Sequence, residues 1–105
     1  MAVYVDNMRA KFGNMIMCHM IATNDAELHA MADRIGVARR WWQRPPRHES
    51  HYDIALSKRS LAVLAGAVEI TWRQTGIMTL RRRVTGSLGD PDDAERWAQE
   101  WRLAR

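Results

Sequence analysis

A helix whose two ends are both written into the sequence most constrains this fold. Asn24 can accept from a first-turn amide, and Glu27 three residues later completes a capping box. Leu28, Met31, Ala32 and Ile35 then recur at helical spacing, and Gly36 stands where a left-handed C-terminal cap belongs. Residues 25–35 are therefore expected to be helical. The run before them, Asn14 to Ala22, is mostly apolar and ends at the cap, so it reads as a buried strand. A strand running straight into a capped helix points to a layered domain, with a sheet buried against helices.

The other segments fit that frame. Ala2-Val3-Tyr4-Val5 reads as a first strand, ended by the turn residues Asp6-Asn7. Val37 to Gln43 reads as another strand, carrying Trp41 and Trp42 on opposite sides. Arg44-Pro45-Pro46-Arg47 breaks regular structure and reads as an exposed loop. His51-Tyr52-Asp53-Ile54 is a short extended piece. Ser57 is the expected N-cap of a helix over about 58–65, with Leu61 and Leu64 inward and Gly66 as its stop. Val68-Glu69-Ile70-Thr71-Trp72 reads as a strand, whereas Thr75 to Val84 fits neither period. Asp90-Pro91 opens a last helix with an Ala94, Trp97, Trp101, Ala104 stripe. The expected fold is thus α/β or α+β. It is one layered domain over 1–84 with a short mixed sheet and two core helices. A linker at 85–89 leads to an amphipathic C-terminal helix at 90–105. That helix would dock on the domain or on a second copy, as a homodimer.

The 105 residues suffice for one domain with a real core. No run is long enough to span a bilayer, and the N-terminus lacks the basic start and long apolar stretch of a signal peptide. The single cysteine, Cys18, excludes an internal disulfide and reads as a buried core thiol. These features point to the cytoplasm. Net charge is +4, but residues 34–83 hold eleven basic and three acidic side chains, +8, between ends of −2 each. A focused positive surface suits a phosphate-bearing partner, a nucleotide or nucleic acid.

Two constellations could carry chemistry. The chain has four histidines, His19, His29, His48 and His51, and the first constellation joins His19, His29 and His51 with the carboxylates Asp6 and Asp53. On a strand, His51 and Asp53 share a face, which makes them credible co-ligands or an acid/base couple. Asp6, His51 and Asp53 are the candidate ligands of a divalent metal, zinc or manganese. His51, Asp53, His19 and His29 are the candidate catalytic groups. No compact ligand motif such as His-Glu-x-x-His is present. The alternative is that His19 and His51 are hydrogen-bonded structural histidines and that His29 and Asp33 form an exposed helical pair.

The second constellation is the segment Arg39-Arg40-Trp41-Trp42-Gln43-Arg44-Pro45-Pro46-Arg47-His48. Arg39, Arg40, Arg44 and Arg47 could hold phosphate while Trp41 or Trp42 stacks on a base. The alternative is one core tryptophan and solvated arginines. Arg81-Arg82-Arg83, with Arg73, Lys58 and Arg59 nearby, could add phosphate affinity or form a solvated helix face. Met8, Met15, Met17, Met20, Met31 and Met78 fill core gaps or line a pliable pocket.

Val5-Asp6, Cys18-His19-Met20-Ile21, Glu27-Leu28-His29-Ala30, Gly36 and His51-Tyr52-Asp53 together resemble a small bacterial and phage family, domain of unknown function 4031. Order and spacing fit over residues 2–72, and the tail from about Thr75 resembles phage-type members. The resemblance implies a small cytoplasmic α/β domain, phage-encoded, and brings no activity with it. The resulting expectation is a small accessory protein that binds a phosphate-bearing ligand through its Arg/Trp segment. The alternatives are a metal-dependent phosphoester hydrolase or nuclease built on the His/Asp cluster, and a structural adaptor.

Overall fold

The computed structural model describes residues 2–104. Among them, five strands and four helices run in the order β1 (Val3–Val5), β2 (Ala10–Phe12), β3 (Met15–Ala22), α1 (Asp25–Ile35), β4 (Tyr52–Ala55), α2 (Leu56–Leu64), β5 (Val68–Glu69), α3 (Trp72–Thr85) and α4 (Pro91–Leu103). The architecture is α+β, around one mixed sheet.

β3 is the spine of that sheet. Met17 lies opposite both Ala10 and Ala55, and Met20 lies opposite both Val5 and Tyr52. β1 and β2 therefore share one edge of β3, end to end, and β4 occupies the other. β5 adds in parallel to the far side of β1. The break between β1 and β2 falls at Asp6, and Arg9, at φ 54, turns the chain back into β2. Phe12 pairs with Met15, so the hairpin loop is only Gly13-Asn14, with Gly13 at φ 60 supplying the required turn.

Alternation of side chains gives the sheet two buried faces. On one, Val3, Val5, Met20, Ala22, Tyr52 and Ile54 pack against Leu28, Ala32 and Ile35 of α1 and Ala62 of α2. On the other, Tyr4 and Ile21 meet Ile70, Met78 of α3, Leu88, and Ala94 of α4. The helix pairs thus sandwich the sheet. His19 lies between Cys18 and Met20 in β3, so it belongs to the α3 face, and it pairs across the sheet with Asp53.

The expected α1 forms over the expected residues. Asn24 Oδ1 accepts from the Glu27 amide at 2.9 Å, and Gly36 closes the helix at φ 80. Asn24→Ala is expected to cost about 1 kcal/mol. Urea denaturation monitored by circular dichroism would read this as a lower midpoint at unchanged slope.

Several expectations are corrected. Residues 37–43 form no strand: Arg39–Trp41 is a 3-10 turn, and only Gln43 makes a β-bridge, to His51. Trp42 is held instead by packing and by a 2.9 Å bond from Nε1 to Ser50 Oγ, which donates to Asp25 at 2.8 Å. Ser57 does not cap α2, which begins at Leu56 directly after β4. Leu61 and Leu64 face solvent, and Ala62 is the buried residue of that helix. The last expected strand stops at Glu69, because Thr71 and Gln74 form a reciprocal capping box that starts α3. α3 covers the ambiguous 75–84 segment as a third core-covering helix. Leu88, in the expected linker, is buried in the core. α4 starts as expected, with Asp90 accepting from the Asp93 amide and Pro91 in its first turn, and it packs its alanines Ala94 and Ala98 inward. No helix among the described residues is long and apolar enough to cross a membrane.

Candidate metal centre

Asp6 organises the site although it is not at its centre. Its carboxylate is fully buried. Oδ1 accepts from the amides of His19, at 2.9 Å, and Met8, at 3.1 Å. Oδ2 accepts from His19 Nδ1 and from the Thr75 hydroxyl of α3, both at 2.8 Å. Arg59 of α2 donates to the Asp6 carbonyl at 2.7 Å. Asp6 thereby ties the break between two strands to α3 through its carboxylate and to α2 through its carbonyl. Burial pushes its carboxyl up, but the hydrogen bonds from His19, Met8 and Thr75 outweigh it and hold the pKa below the ordinary value.

That bond fixes the tautomer of His19. An ionised carboxylate only accepts, so Nδ1 carries the proton and the Nε2 lone pair points away from Asp6. His51 is fixed in the same way, because its Nδ1 contacts the Glu49 carbonyl, which also only accepts. Both free Nε2 atoms converge on Asp53 Oδ1, from His51 at 3.4 Å and from His19 at 3.8 Å. The three atoms all lie within 4.8 Å of one another. Gln43 Nε2 donates to the other oxygen, Asp53 Oδ2, at 2.9 Å. Asp53 Oδ1 itself is buried and accepts no hydrogen bond among the described residues.

Three lone pairs aimed at one point repel unless something positive lies between them. A proton on His51 would serve. Burial opposes charge on that imidazole, but Asp53 and the Glu49 carbonyl outweigh it and move its pKa up. The His51 imidazole is in turn the main reason that Asp53 sits below the ordinary carboxyl range, with burial opposing and Gln43 assisting. A divalent ion would serve better. Tetrahedral ligands at ~2.1 Å from a metal stand ~3.4 Å apart, close to the spacings found here. The donors, two imidazoles and a carboxylate, suit zinc, manganese or iron. Each imidazole already has the outer acceptor that metal-bound histidines use. The three side chains are partly exposed, 36% for Asp53, 22% for His19 and 20% for His51, while Asp53 Oδ1 itself is buried.

The sequence-derived site residues separate accordingly. His19, His51 and Asp53 come together. Asp6, expected as a ligand, has its carboxylate engaged by four donors and orients His19 instead. His29 lies on the opposite face, bonded through Nδ1 to Tyr52 at 2.8 Å and packed edge-on against Trp42. Burial, aided by Arg39, lowers its pKa. His48 meets α3 through its carbonyl, which accepts from Arg82 at 2.8 Å. Of the Arg/Trp segment, Arg40 and Trp41 line a groove that reaches Asp53, whereas Arg44 stacks on Trp42 and Arg39 lies 3.7 Å from Asp33. The basic run of α3 is largely structural: Arg82 donates to the His48, Ser50 and Ala22 carbonyls, and Arg81 bonds Ser87.

The profile of one protein family matches residues 3–83, a segment holding Asp6, His19, His51, Asp53 and most of α3. The chain belongs to the DUF4031 family of proteins of unknown function. The DUF4031 match extends past residue 72, where the resemblance read from the sequence stopped, and it leaves α4 outside. No curated protein and no solved structure matches the chain.

Gln43, Thr75 and the Glu49 carbonyl were missed by sequence reasoning. Thr75 is 69 positions from Asp6, and no local pattern links them. β2 carried a usable signal, the Gly13-Asn14 turn dipeptide between Phe12 and Met15.

Proposed function

We propose that this chain is a divalent-metal-dependent hydrolase of phosphoesters, with His19 Nε2, His51 Nε2 and Asp53 Oδ1 as ligands. The observation that carries the reading is the convergence of His19 Nε2, His51 Nε2 and Asp53 Oδ1, one possible ligand atom from each of three side chains, within 4.8 Å of one another. Three protein ligands leave positions for a water and a phosphoryl oxygen. An ion held by these three residues would polarise a phosphoryl oxygen and acidify a water, so that hydroxide could bond to phosphorus as the bond to the leaving oxygen breaks and that oxygen takes a proton from water. Asp6 and the Glu49 carbonyl would hold the two imidazoles in register. The cationic side chains near Asp53 favour a phosphate over a neutral ester.

The test uses chelator-treated protein reloaded with zinc or manganese and assayed on p-nitrophenyl phosphate and bis-p-nitrophenyl phosphate. Turnover of at least one, dependent on the ion and lost in His51→Ala, is expected. Metal-loaded wild type no faster than His51→Ala on both would contradict the hydrolase. If that protein still bound phosphate, it would be a binding module, the second reading, which Arg40 and Trp41 beside Asp53 favour.

A further inference from the structure

We infer that the groove beside the metal centre takes one free nucleoside phosphate, its base against Trp41 and Phe12 and its phosphate among Lys11, Arg40 and Lys58. The inference names a substrate class for the hydrolase proposed above and rests on that reading for the ion.

The groove has a volume of about 670 Å³, within the range of small-molecule sites. It adjoins the centre through one shared residue, because Asp53 lines it together with Gln43, which donates to Asp53 Oδ2. Two aromatic rings are left in solvent there, Phe12 at 68% and Trp41 at 58% exposure. Neither ring is needed for the core, and both present faces on which a base can stack. Met15 and Met17 form an adaptable apolar wall beside them.

Charge selects the other half of the ligand. Lys11, Arg40 and Lys58 face one carboxylate, Asp53, so the groove is positive even without an ion. The Arg40 guanidinium lies 5.2 Å from the Trp41 ring centre, which keeps cation and stacking surface together. The Lys58 ammonium reaches over Gly36, where an added Cβ would stand 3.2 Å from Nζ. A flat apolar ring next to an anion is what these walls fit.

One unit fits better than a strand. A strand needs a cationic track leading away from the groove. Several arginines that could extend one have protein partners: Arg39 faces Asp33, Arg44 stacks on Trp42, Arg59 binds Glu69, Arg73 binds Glu95, and Arg82 is spent on backbone carbonyls.

Calorimetric titration of the full chain tests this, with manganese and again with EDTA. The probes are adenosine 5′-monophosphate, adenosine and an eight-residue oligothymidylate. The monophosphate is expected to bind at least tenfold tighter than adenosine. Affinity should fall about tenfold in Trp41→Ala and in Lys58→Glu, and less in Phe12→Ser. All three changes lie at exposed or groove positions, and circular dichroism checks their folding. Equal binding of adenosine, or no saturable binding of the monophosphate to metal-loaded protein, would overturn the inference. So would an oligonucleotide that binds tenfold tighter than the monophosphate. Binding in EDTA that Trp41→Ala abolishes, in a protein that holds no metal, would uphold the groove and remove the metal reading instead.

Discussion

His51→Ala is expected to abolish tight divalent-metal binding while leaving the chain folded. The His51 ring is partly exposed, and its partners are Asp53 and the Glu49 carbonyl, so little packing is lost with it. Asp53→Ala and His19→Ala should behave alike, since each removes one of the three donors brought together among the described residues. Asp6→Asn is the informative contrast. It leaves the donors in place but replaces an oxygen that accepts from His19 Nδ1 and Thr75. Loss of such an outer partner typically weakens metal binding about 10–100-fold. Titration of zinc or manganese into each variant should therefore show no tight site in the first three and a weakened one in Asp6→Asn. Equal affinity in wild type and His51→Ala would remove His51 from the site.

Asp6→Ala is expected to be the most destabilising single change in the sheet. It takes the acceptor from the amides of His19 and Met8 and from the His19 ring, all part-buried, and from the Thr75 hydroxyl in a buried position. Breaking such a buried network costs about 3–5 kcal/mol, a large share of the roughly 5–15 kcal/mol that holds an ordinary domain. The pH dependence has a definite sign. The folded-state pKa of Asp6 lies below its unfolded value. Its contribution is therefore complete above the ordinary carboxyl pKa and is lost as pH falls through the lowered folded value. Denaturant midpoints measured downward from neutral pH should show wild type losing stability in the acid range. Asp6→Ala, already weakened, should lose less there. A cost below about 1 kcal/mol at neutral pH would mean that Asp6 is not the junction described.

What could be read from the sequence was whatever local chemistry decides. α1 announced itself through Asn24 and Gly36, and α4 through Asp90-Pro91, because caps are written within a few residues of what they satisfy. β3 and β4 followed from short apolar or alternating runs. The shared face of His51 and Asp53 followed from strand geometry alone. The errors lay where tertiary contacts overrode local pattern. Residues 37–43 looked like a strand, yet Trp42 is anchored by Ser50 and Asp25, and the backbone turns to deliver it. α2 was misphased because it starts at the end of β4 without a side-chain cap. α3 was unreadable because its mixed surface contacts both core and solvent, and much of its anchoring, through Thr75 and Arg82, reaches distant backbone and carboxylate. The site split along the same line. That histidines and carboxylates could converge was legible. Which of them point inward depended on β3 pairing with two strands at once, and this assigned Asp6 to orientation and His29 to the opposite face.

X-ray absorption spectroscopy of the zinc-loaded full chain tests the central claim most directly. The account predicts one ion per chain with an all nitrogen and oxygen shell at about 2.0–2.2 Å and the outer-shell signature of two imidazoles, reduced in His51→Ala. No near-stoichiometric ion, a spectrum without imidazole, or a sulfur neighbour at about 2.3 Å from Cys18 would contradict it.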